Sequence, residues 1–255
     1  MGWALITGAS SGLGREFAKL AAADGWNLVI SARRADELNA LAADLPVEVV
    51  VIPADLSEPG AGTALWAKAC EGREIDLLVN NAGFGAHGKF AGNDKAREHA
   101  SVMVNMVAFT ELLQSAVSDF RARKVPGKVL NLASLAGFFP SGEVAVYHAT
   151  KAYVLALVEG VRADLRGTDI TVTALCPGPT QTEFFSSASI SDVWLTRFLP
   201  MQSAAKVANI GWDAMKRGKG VTLTGPIHSL VAFGSRFQPR AFQARMNAFF
   251  WSPRR

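Results

Sequence analysis

Short apolar runs alternate with segments of helical periodicity along almost the whole chain, and this alternation limits the fold more than any other feature. The apolar runs are rich in β-branched residues and are predicted to be strands. They cover residues 3–7, 27–31, 47–52, 75–79, 128–132, 170–175 and 221–223. The helical patterns cover 35–44, 59–71, 93–124, 145–166 and 203–217. Strands of this kind between helices are typical of a parallel sheet with both faces covered, so we predict a single α/β domain with a doubly wound sheet.

The first strand runs directly into a glycine-rich turn, Gly8-Ala-Ser-Ser-Gly12-Leu-Gly14, and a helical pattern follows. Glycines let the backbone approach a pyrophosphate closely, and the end of the helix supplies partial positive charge. The spacing is Gly-x-x-x-Gly-x-Gly rather than the usual Gly-x-Gly-x-x-Gly, and an ordinary strand–helix turn is the alternative. The position and flanks of the turn favour a nucleotide site and a Rossmann-like fold.

The end of the second strand carries two arginines, Arg33 and Arg34, where a site for NAD usually places an acid. The nearest acids, Asp36 and Glu37, already belong to the next helical pattern. Guanidinium groups pair well with phosphate, so the sequence predicts NADP(H) rather than NAD(H), with Arg33 the first candidate and Arg34 the second. The alternative is a solvated pair of charges at the start of a helix.

Several polar or small residues follow directly on predicted strands. They are Gly8–Gly14, Arg33, Asp55, Asn81, Ser134 and Pro177. The carboxyl ends of parallel strands meet at one edge of the sheet, where ligands of such folds bind. Asp55 could accept a hydrogen bond from an adenine amino group or cap the next helix, where Ser57 competes for the same role. This shared edge is the strongest argument from the residues alone for a nucleotide site.

Tyr147 and Lys151 lie four residues apart in a predicted helix and therefore share one face, whereas His148 points away from it. A nearby ammonium favours the phenolate and should lower the pKa of the tyrosine from its usual value of about 10. Such a tyrosine can exchange a proton with a carbonyl or alcohol oxygen. Asn105 lies among apolar neighbours in another helical pattern, where an amide is more often a satisfied core residue than a catalyst.

Composition excludes several functional classes. The net charge of +4 is compatible with an anionic ligand but too small to indicate nucleic acid, and no nucleic-acid-binding motif is present. Two cysteines, Cys70 and Cys176, are too few and too far apart for a metal cluster or a disulfide framework, so we expect no metal and a reducing, cytoplasmic compartment. We find no run of 18 apolar residues and no signal peptide, and we therefore expect no membrane-spanning helix.

The motifs together resemble those of the short-chain dehydrogenase/reductase family, in its single-domain branch of about 250 residues. The matching residues are Thr7–Gly14, Asn80–Gly83, Asn105, Ser134, Tyr147-x-x-x-Lys151 and Pro177-Gly178, in the order that this family has. The resemblance extends to about residue 225. It implies an NADP(H)-dependent carbonyl reductase or alcohol dehydrogenase that transfers a hydride, and a homodimer or homotetramer.

The resemblance also implies roles for individual residues. Tyr147 would be the general acid in reduction and the general base in oxidation, and Lys151 would lower its pKa and hold the nicotinamide ribose. Ser134 would bind the substrate oxygen, and Asn105 would maintain a water path to Lys151. Besides Tyr147 and Lys151, the implied cofactor contacts are Gly8, Ser10, Ser11, Gly12, Leu13, Gly14, Arg33, Arg34, Asp55, Leu56, Asn81, Ala82, Gly83, Pro177, Gly178, Thr180 and Thr182. Ser11 stands where some NADP-binding members carry a basic residue, so Arg33 would bind the phosphate of NADP without a basic residue at position 11.

Aromatic and apolar residues near Ser134 and Tyr147 predict a pocket for a hydrophobic ketone, aldehyde or alcohol. The candidates are Phe84, Phe138, Phe139, Val144, Phe184, Phe185 and Trp194. Each of them taken singly is more often a core residue. A protein that senses NADP without turnover is the alternative from another functional class, although it would not need Tyr147 and Lys151.

Residues 226–255 form a C-terminal extension to a catalytic domain predicted at 1–225. The extension has five arginines and no acidic residue, and Phe242, Met246, Phe249 and Phe250 would share one helical face. A basic amphipathic helix can lie on a membrane surface. We prefer packing over the substrate pocket or across a subunit interface, because no lipid anchor accompanies the helix.

Overall fold

The computed structural model describes residues 2–183, 193–199 and 201–252. Its main sheet has seven parallel strands in the order β3-β2-β1-β4-β5-β6-β9. These strands are β1 (Trp3–Thr7), β2 (Asn27–Ser31), β3 (Val49–Val51), β4 (Ile75–Asn80), β5 (Lys128–Leu132), β6 (Thr171–Cys176) and β9 (Val221–Leu223). A separate parallel pair, β7 (Thr180–Gln181) and β8 (Gln202–Ser203), lies outside the main sheet. The predicted α/β class and Rossmann-like parallel sheet are confirmed.

Helices follow the strands and cover both faces of the sheet. They are α1 (Gly12–Ala23), α2 (Ala35–Ala43), α3 (Ala61–Ala69), α4 (Lys95–Val102), α5 (Phe109–Arg123), α6 (Ala145–Asp164), α7 (Leu195–Phe198), α8 (Ala204–Lys216), α9 (Pro226–Gly234) and α10 (Arg240–Trp251). Neighbouring residues of one strand point to opposite faces. Leu5 packs into the core beneath α3, α5 and α6, and Ile6 packs into the core beneath α1, α2 and α8. This double burial explains why the strands are apolar throughout.

The predicted helix over 93–124 is interrupted by one turn of π-helix, Met103–Ala108, between α4 and α5. The Asn80 side chain, at the end of β4, donates a hydrogen bond of 2.9 Å to the carbonyl oxygen of Phe109 directly after this turn. A π-helical turn inserts an extra residue into the helix and often marks a functional site. Here it contains Asn105.

Lys95–Arg123 is also long and apolar enough, by length and composition, to cross a membrane. Its side chains Phe109, Leu112 and Phe120 are fully or almost fully buried against the sheet. One face of α5 therefore belongs to the core beneath the sheet.

The described part of the C-terminal extension forms α9 and α10, and α10 packs back onto the loops before α6. Asn247 Nδ2 donates to the carbonyl oxygen of Pro140 at 3.2 Å, and His87 Nε2 donates to the carbonyl oxygen of Trp251 at 2.8 Å. The Trp251 ring is buried beside Val144 and Val193. These contacts bring the extension to the carboxyl edge of the sheet, while the predicted domain boundary at residue 225 stays a prediction.

Candidate active site

A cleft of about 880 Å³ opens at the carboxyl edge of the sheet, where the strand order reverses between β1 and β4. This is the position at which open parallel sheets bind ligands. Most of the predicted cofactor contacts line it, namely Gly8, Ser10, Ser11, Gly12, Leu13, Arg33, Arg34, Asp55, Leu56, Asn81, Ala82, Gly83, Pro177, Gly178, Thr180 and Thr182. Gly14 does not line the cleft but packs directly against Gly8 and Asn81.

The glycine-rich turn requires glycine for two physical reasons. Gly8 and Gly12 have positive φ angles of 66° and 54°, which side chains disfavour. A Cβ on Gly14 would lie 2.1 Å from the carbonyl oxygen of Gly8, so helix α1 packs directly on the turn. Within the described helix α1, the first turn carries no acidic residue and the Ser11 side chain makes no capping hydrogen bond. A bare helix N-terminus in a glycine cradle fits the pyrophosphate of a nicotinamide dinucleotide.

Thr7 joins this turn to the loop after β4. Its hydroxyl accepts hydrogen bonds from the backbone N–H groups of Asn81 and Ala82, both at 3.0 Å. Asn81 Nδ2 in return donates to the carbonyl oxygen of Thr7 at 2.8 Å. The loop 81–83 is thereby held against the cleft at the end of the two central strands.

The two arginines after β2 differ in their contacts. Arg34 Nη2 lies 3.2 Å from Ser10 Oγ and 2.8 Å from Glu183 Oε2. The exposed Arg33 lies near enough to Asp55 to favour its ionised form, although the larger effects on this carboxylate come from Ser57. Asp55 Oδ1 accepts from the Ser57 N–H at 2.9 Å and its hydroxyl at 2.7 Å, which lowers the pKa of Asp55.

Asp55 and Ser57 therefore form a turn with each other. Helix α3 begins only at Ala61, with Gly60 as its N-cap, so neither of the two caps it. The helix-capping alternative for Asp55 is wrong, because the predicted start of this helix at residue 59 was too early.

Ser134, Tyr147 and Lys151 meet in the cleft. The Ser134 and Tyr147 side chains share a hydrogen bond, and Lys151 Nζ lies 5.8 Å from the centre of the Tyr147 ring. Lys151 Nζ also donates to the carbonyl oxygen of Leu132 at 2.8 Å, which ties the lysine to the end of β5. Ser134 Oγ accepts from the N–H of Ala136 at 3.1 Å, which orients its side chain.

The pKa of the tyrosine moves in the direction opposite to the prediction. Burial raises the pKa of Tyr147 to about 12, and the hydrogen bond to Ser134 only partly opposes this rise. Burial also lowers the pKa of Lys151 to about 8, with Cys176 acting weakly against that fall. The prediction considered the attraction between ammonium and phenolate but not the cost of removing both charges from water.

Asn105 is a satisfied buried amide, the alternative that the sequence left open. Its Nδ2 donates to the carbonyl oxygen of Phe84 at 2.8 Å and to Thr150 Oγ1 at 3.1 Å, and its Oδ1 accepts from the Phe84 N–H at 3.1 Å. The Thr150 hydroxyl in turn donates to the carbonyl oxygen of Tyr147 at 2.8 Å. Asn105 thus connects the loop after β4 to the turn of α6 that carries the tyrosine.

His148 and Cys176 are buried close to this group. His148 Nδ1 donates to the carbonyl oxygen of Phe139 at 2.8 Å, and its ring lies edge-on to Trp251. Burial lowers the pKa of His148 to about 4 and raises that of Cys176 to about 12. Both are therefore uncharged near neutral pH.

Only part of the predicted substrate pocket is found. Phe84 and Phe139 line the cleft. Phe138 packs against the core beneath α3, α5 and α6, Val144 is buried beside Trp251, and Trp194 stacks on Phe249 with ring centres 5.8 Å apart. These three residues do not line the cleft, because each packs against other residues of the protein. Phe184 and Phe185 lie outside the described residues.

The missing wall of the pocket comes from the C-terminal extension. It contributes Leu230, Val231, Gly234, Ser235, Gln238, Gln243, Met246, Asn247, Phe250 and Trp251, and α7 adds Leu195 and Phe198. The sequence offered one signal for them, the density of aromatic residues after position 226. That signal could not be assigned to the pocket rather than to an interface or a membrane.

Comparison with known proteins agrees with this geometry. The family model described as short chain dehydrogenase matches residues 2–191. The chain belongs to the short-chain dehydrogenase family. A 7beta-hydroxysteroid dehydrogenase from Collinsella aerofaciens is 33% identical to it over 184 residues, which are 71% of this chain and 69% of that protein. As a family member, the chain is an oxidoreductase that uses a nicotinamide cofactor.

Solved structures of short-chain dehydrogenases show both cofactors. One from Sphingobium yanoikuyae, in complex with NADPH, is similar with a TM-score of 0.83 at 30% identity, covering 93% of this chain and 92% of that one. Another from Burkholderia phymatum, in complex with NAD, has a TM-score of 0.80 at 26% identity, covering 91% and 92%. The family therefore establishes a nicotinamide cofactor but does not decide between its two forms.

Proposed function

We propose that this short-chain dehydrogenase interconverts a hydrophobic ketone or aldehyde and its alcohol, with NADP(H) as cofactor and Tyr147 as the general acid and base. The observation that carries the proposal is the hydrogen-bonded pair of Ser134 and Tyr147 inside the cleft, with Lys151 Nζ 5.8 Å from the tyrosine ring. Two hydroxyl groups at this position can hold one carbonyl oxygen between them.

The pKa values suit proton donation. With a pKa of about 12, Tyr147 keeps its phenolic proton at neutral pH and gives it to the alkoxide that forms during reduction. Lys151, with a pKa of about 8, remains charged at neutral pH and stabilises the phenolate left behind. The bound nicotinamide supplies or takes the hydride. Ser134 holds the substrate oxygen during this exchange, and Asn105 holds the loop after β4.

The preference for NADP(H) rests on Arg33 and Arg34, which line the cleft after β2. Guanidinium groups there can pair with a 2′-phosphate, which NAD(H) lacks. We expect the protein to bind NADPH more tightly than NADH, and Arg33→Ala to reduce this difference. Titration of nicotinamide fluorescence measures both affinities. Tighter binding of NADH by the unchanged protein would contradict this part of the proposal.

The hydrophobic substrate is supported by the lining of the cleft beyond Tyr147. Phe84, Phe139, Met246, Phe250 and Trp251 line it, and most of the surface of the cleft is apolar. Pockets of this type bind mainly by burying apolar surface. The relative from Collinsella aerofaciens is named for a hydroxysteroid, a substrate of the same chemical class.

A cofactor-oxidation assay against a panel of carbonyl compounds tests the chemistry. Bulky apolar ketones should be reduced faster than small polar ones. Tyr147→Phe should lower kcat by about 10²- to 10⁴-fold, because general acid catalysis is lost, with NADPH affinity almost unchanged. Tyr153→Phe is the matched control, because the Tyr153 hydroxyl bonds to Thr110 Oγ1 at 2.7 Å rather than to Ser134.

Full activity of Tyr147→Phe would refute the assigned role. NADPH binding without turnover of any compound in the panel would instead favour the alternative, a protein that senses NADP.

Membrane contact and oligomeric state stay predictions. The C-terminal extension exposes Phe233 (56%) and Phe237 (74%) beside Arg236 and Arg240. Exposed aromatic residues with arginines are compatible with an anionic membrane surface. Co-sedimentation with anionic liposomes tests this, with a Phe233→Ser/Phe237→Ser variant as the comparison. Equal sedimentation of the two proteins would remove the membrane hypothesis, and light scattering reports the oligomer.

A further inference from the structure

Glu183 lies two residues after strand β7 and beside the glycine-rich turn. Strand β7 ends at Gln181, and the next residue packs on the turn so closely that a Cβ on Gly12 would lie 3.2 Å from Thr182 Cβ. The Glu183 carboxylate lies 2.8 Å from Arg34 Nη2 and shares a hydrogen bond with Ser11. Arg34 Nη2 also reaches Ser10 Oγ at 3.2 Å. One carboxylate is therefore held by an arginine and a serine at the mouth of the nucleotide cleft.

These groups make up an anion site that the chain fills with its own carboxylate. The site combines the guanidinium of Arg34 with the hydroxyl groups of Ser10 and Ser11. Arginine, hydroxyl groups and helix N-termini are the groups with which proteins bind phosphate. The same contacts with Arg34 and Ser11 lower the pKa of Glu183, so the carboxylate is ionised at neutral pH.

The position of Arg34 identifies the phosphate that would compete for this site. Arg34 lies three residues after the end of β2, where Rossmann-like folds bind the 2′ position of the adenosine ribose. NADPH carries a phosphate there, and NADH carries a hydroxyl. A phosphate monoester has a charge of about −1.5 to −2 near neutral pH, so it and the carboxylate repel each other when both face Arg34.

We infer that Glu183 is a specificity-determining residue for the coenzyme. Its carboxylate pairs with Arg34 in the free protein and must release this arginine when the 2′-phosphate of NADPH binds. NADH has no phosphate at this position to bind Arg34, so it leaves the ion pair of Arg34 and Glu183 intact. The Glu183 carboxylate thus weakens NADPH binding selectively. This inference rests on the proposed binding of NADPH in the cleft.

The effect should be moderate, because the pair is accessible to water. The side chains of Arg34 and Glu183 are 47% and 57% exposed. Ion pairs of this exposure are weak and are readily exchanged for another partner. We therefore expect Glu183 to tune the coenzyme preference rather than to exclude NADPH.

Removing the carboxylate in the full-length protein tests the inference. Glu183→Gln should tighten NADPH binding by about 3- to 10-fold and change NADH binding less than twofold, as expected for loss of a weak competing ion pair and its repulsion. Glu71→Gln is the control, because it removes the same charge at an exposed position after α3 and should change neither affinity. Nicotinamide fluorescence or calorimetry measures these affinities without turnover.

A second variant locates the competition at Arg34. In an Arg34→Gln protein, NADPH should bind more weakly, and adding Glu183→Gln should then tighten its binding clearly less than in the unchanged protein, because the shared partner is gone and only the repulsion between carboxylate and phosphate remains. A full effect of Glu183→Gln in that background would overturn the inference.

The remaining outcomes are also decisive. Unchanged or weaker NADPH binding by Glu183→Gln would overturn the inference. Equal tightening of NADPH and NADH would overturn it too, because the carboxylate would then oppose the pyrophosphate that both share. If the unchanged protein prefers NADH while Glu183→Gln selectively tightens NADPH, the proposed coenzyme preference fails and the role of Glu183 stands.

Discussion

Replacing Asn105 by alanine tests whether this residue acts by holding the active-site loop. The resemblance to dehydrogenases implied a role in a water path to Lys151, whereas the structure gives its side chain four hydrogen-bond contacts with protein groups of Phe84, Ser101 and Thr150. Both descriptions predict lower activity for Asn105→Ala. They differ in what they predict for stability and coenzyme binding.

The size of the effect follows from the contacts. The alanine variant removes the acceptor of the Phe84 N–H, while the carbonyl oxygen of Phe84 keeps a second donor, Ser101 Oγ, at 2.9 Å. One unsatisfied amide costs about 1–3 kcal/mol, and the space left by a fully buried side chain adds about 1 kcal/mol. A loss of about 3 kcal/mol in the free energy of unfolding lowers the Tm by about 6–12 °C in a chain of this size.

Thermal unfolding and NADPH titration of Asn105→Ala measure these effects. The Kd for NADPH should rise with the loss of stability, since the loosened loop 81–84 lines the cleft. Thr150→Val is the matched control. It removes one partner of Asn105 but leaves both contacts with Phe84, so its Tm should fall less than half as far. An Asn105→Ala protein with unchanged Tm and Kd but low kcat would refute the positioning role and favour the water path.

Two further perturbations follow from the structure. The pKa of His148 is about 4 in the folded protein against 6.5 ordinarily, so between these values only the unfolded chain binds the proton, and stability must fall as the pH is lowered from 6.5 to 4. Denaturant titrations should show that the free energy of unfolding of the unchanged protein falls by up to about 3 kcal/mol over this range, whereas that of His148→Gln does not. Parallel losses in both proteins would argue against His148 as the cause. Gly14→Ala should abolish coenzyme binding and lower stability strongly, because its Cβ would lie 2.1 Å from the carbonyl oxygen of Gly8. Gly92→Ala, with no atom within 4 Å of its Cβ, should behave like the unchanged protein, and a stable Gly14→Ala that binds NADPH would contradict the close packing of α1 on the glycine-rich turn.

The central strands were predictable because they are buried on both faces. Residues 3–7, 27–31, 128–132 and 221–223 form strands with the predicted bounds. Strand β3 is shorter than predicted, Val49–Val51 instead of 47–52, because it lies at the edge of the sheet and pairs only with β2. The π-helical turn at Asn105 was not predicted, because a single turn is too short to be recognised in the apolar pattern of the helices on either side.

The nucleotide half of the cleft was more predictable than the substrate half. Its residues lie on turns that directly follow strands, so their order in the sequence gives their place in the fold. The substrate half depends on where the C-terminal extension docks, and the contact of Asn247 with Pro140 spans 107 residues. Local patterns carry no information about such a contact. The same holds for Glu183 and Arg34, which are 149 residues apart.

The reversed pKa shift of Tyr147 changes how the Tyr-x-x-x-Lys motif should be understood. The spacing predicts proximity correctly, but proximity alone does not decide the sign of the shift. When a cleft encloses both side chains, removal of water disfavours phenolate and ammonium alike, and burial decides the direction of both pKa shifts. The result is a phenol that holds its proton beside a lysine that can lose its own near pH 8. In the proposed reaction, this pair would give a proton to the alkoxide as it forms, and the charge on Lys151 would then stabilise the phenolate of Tyr147.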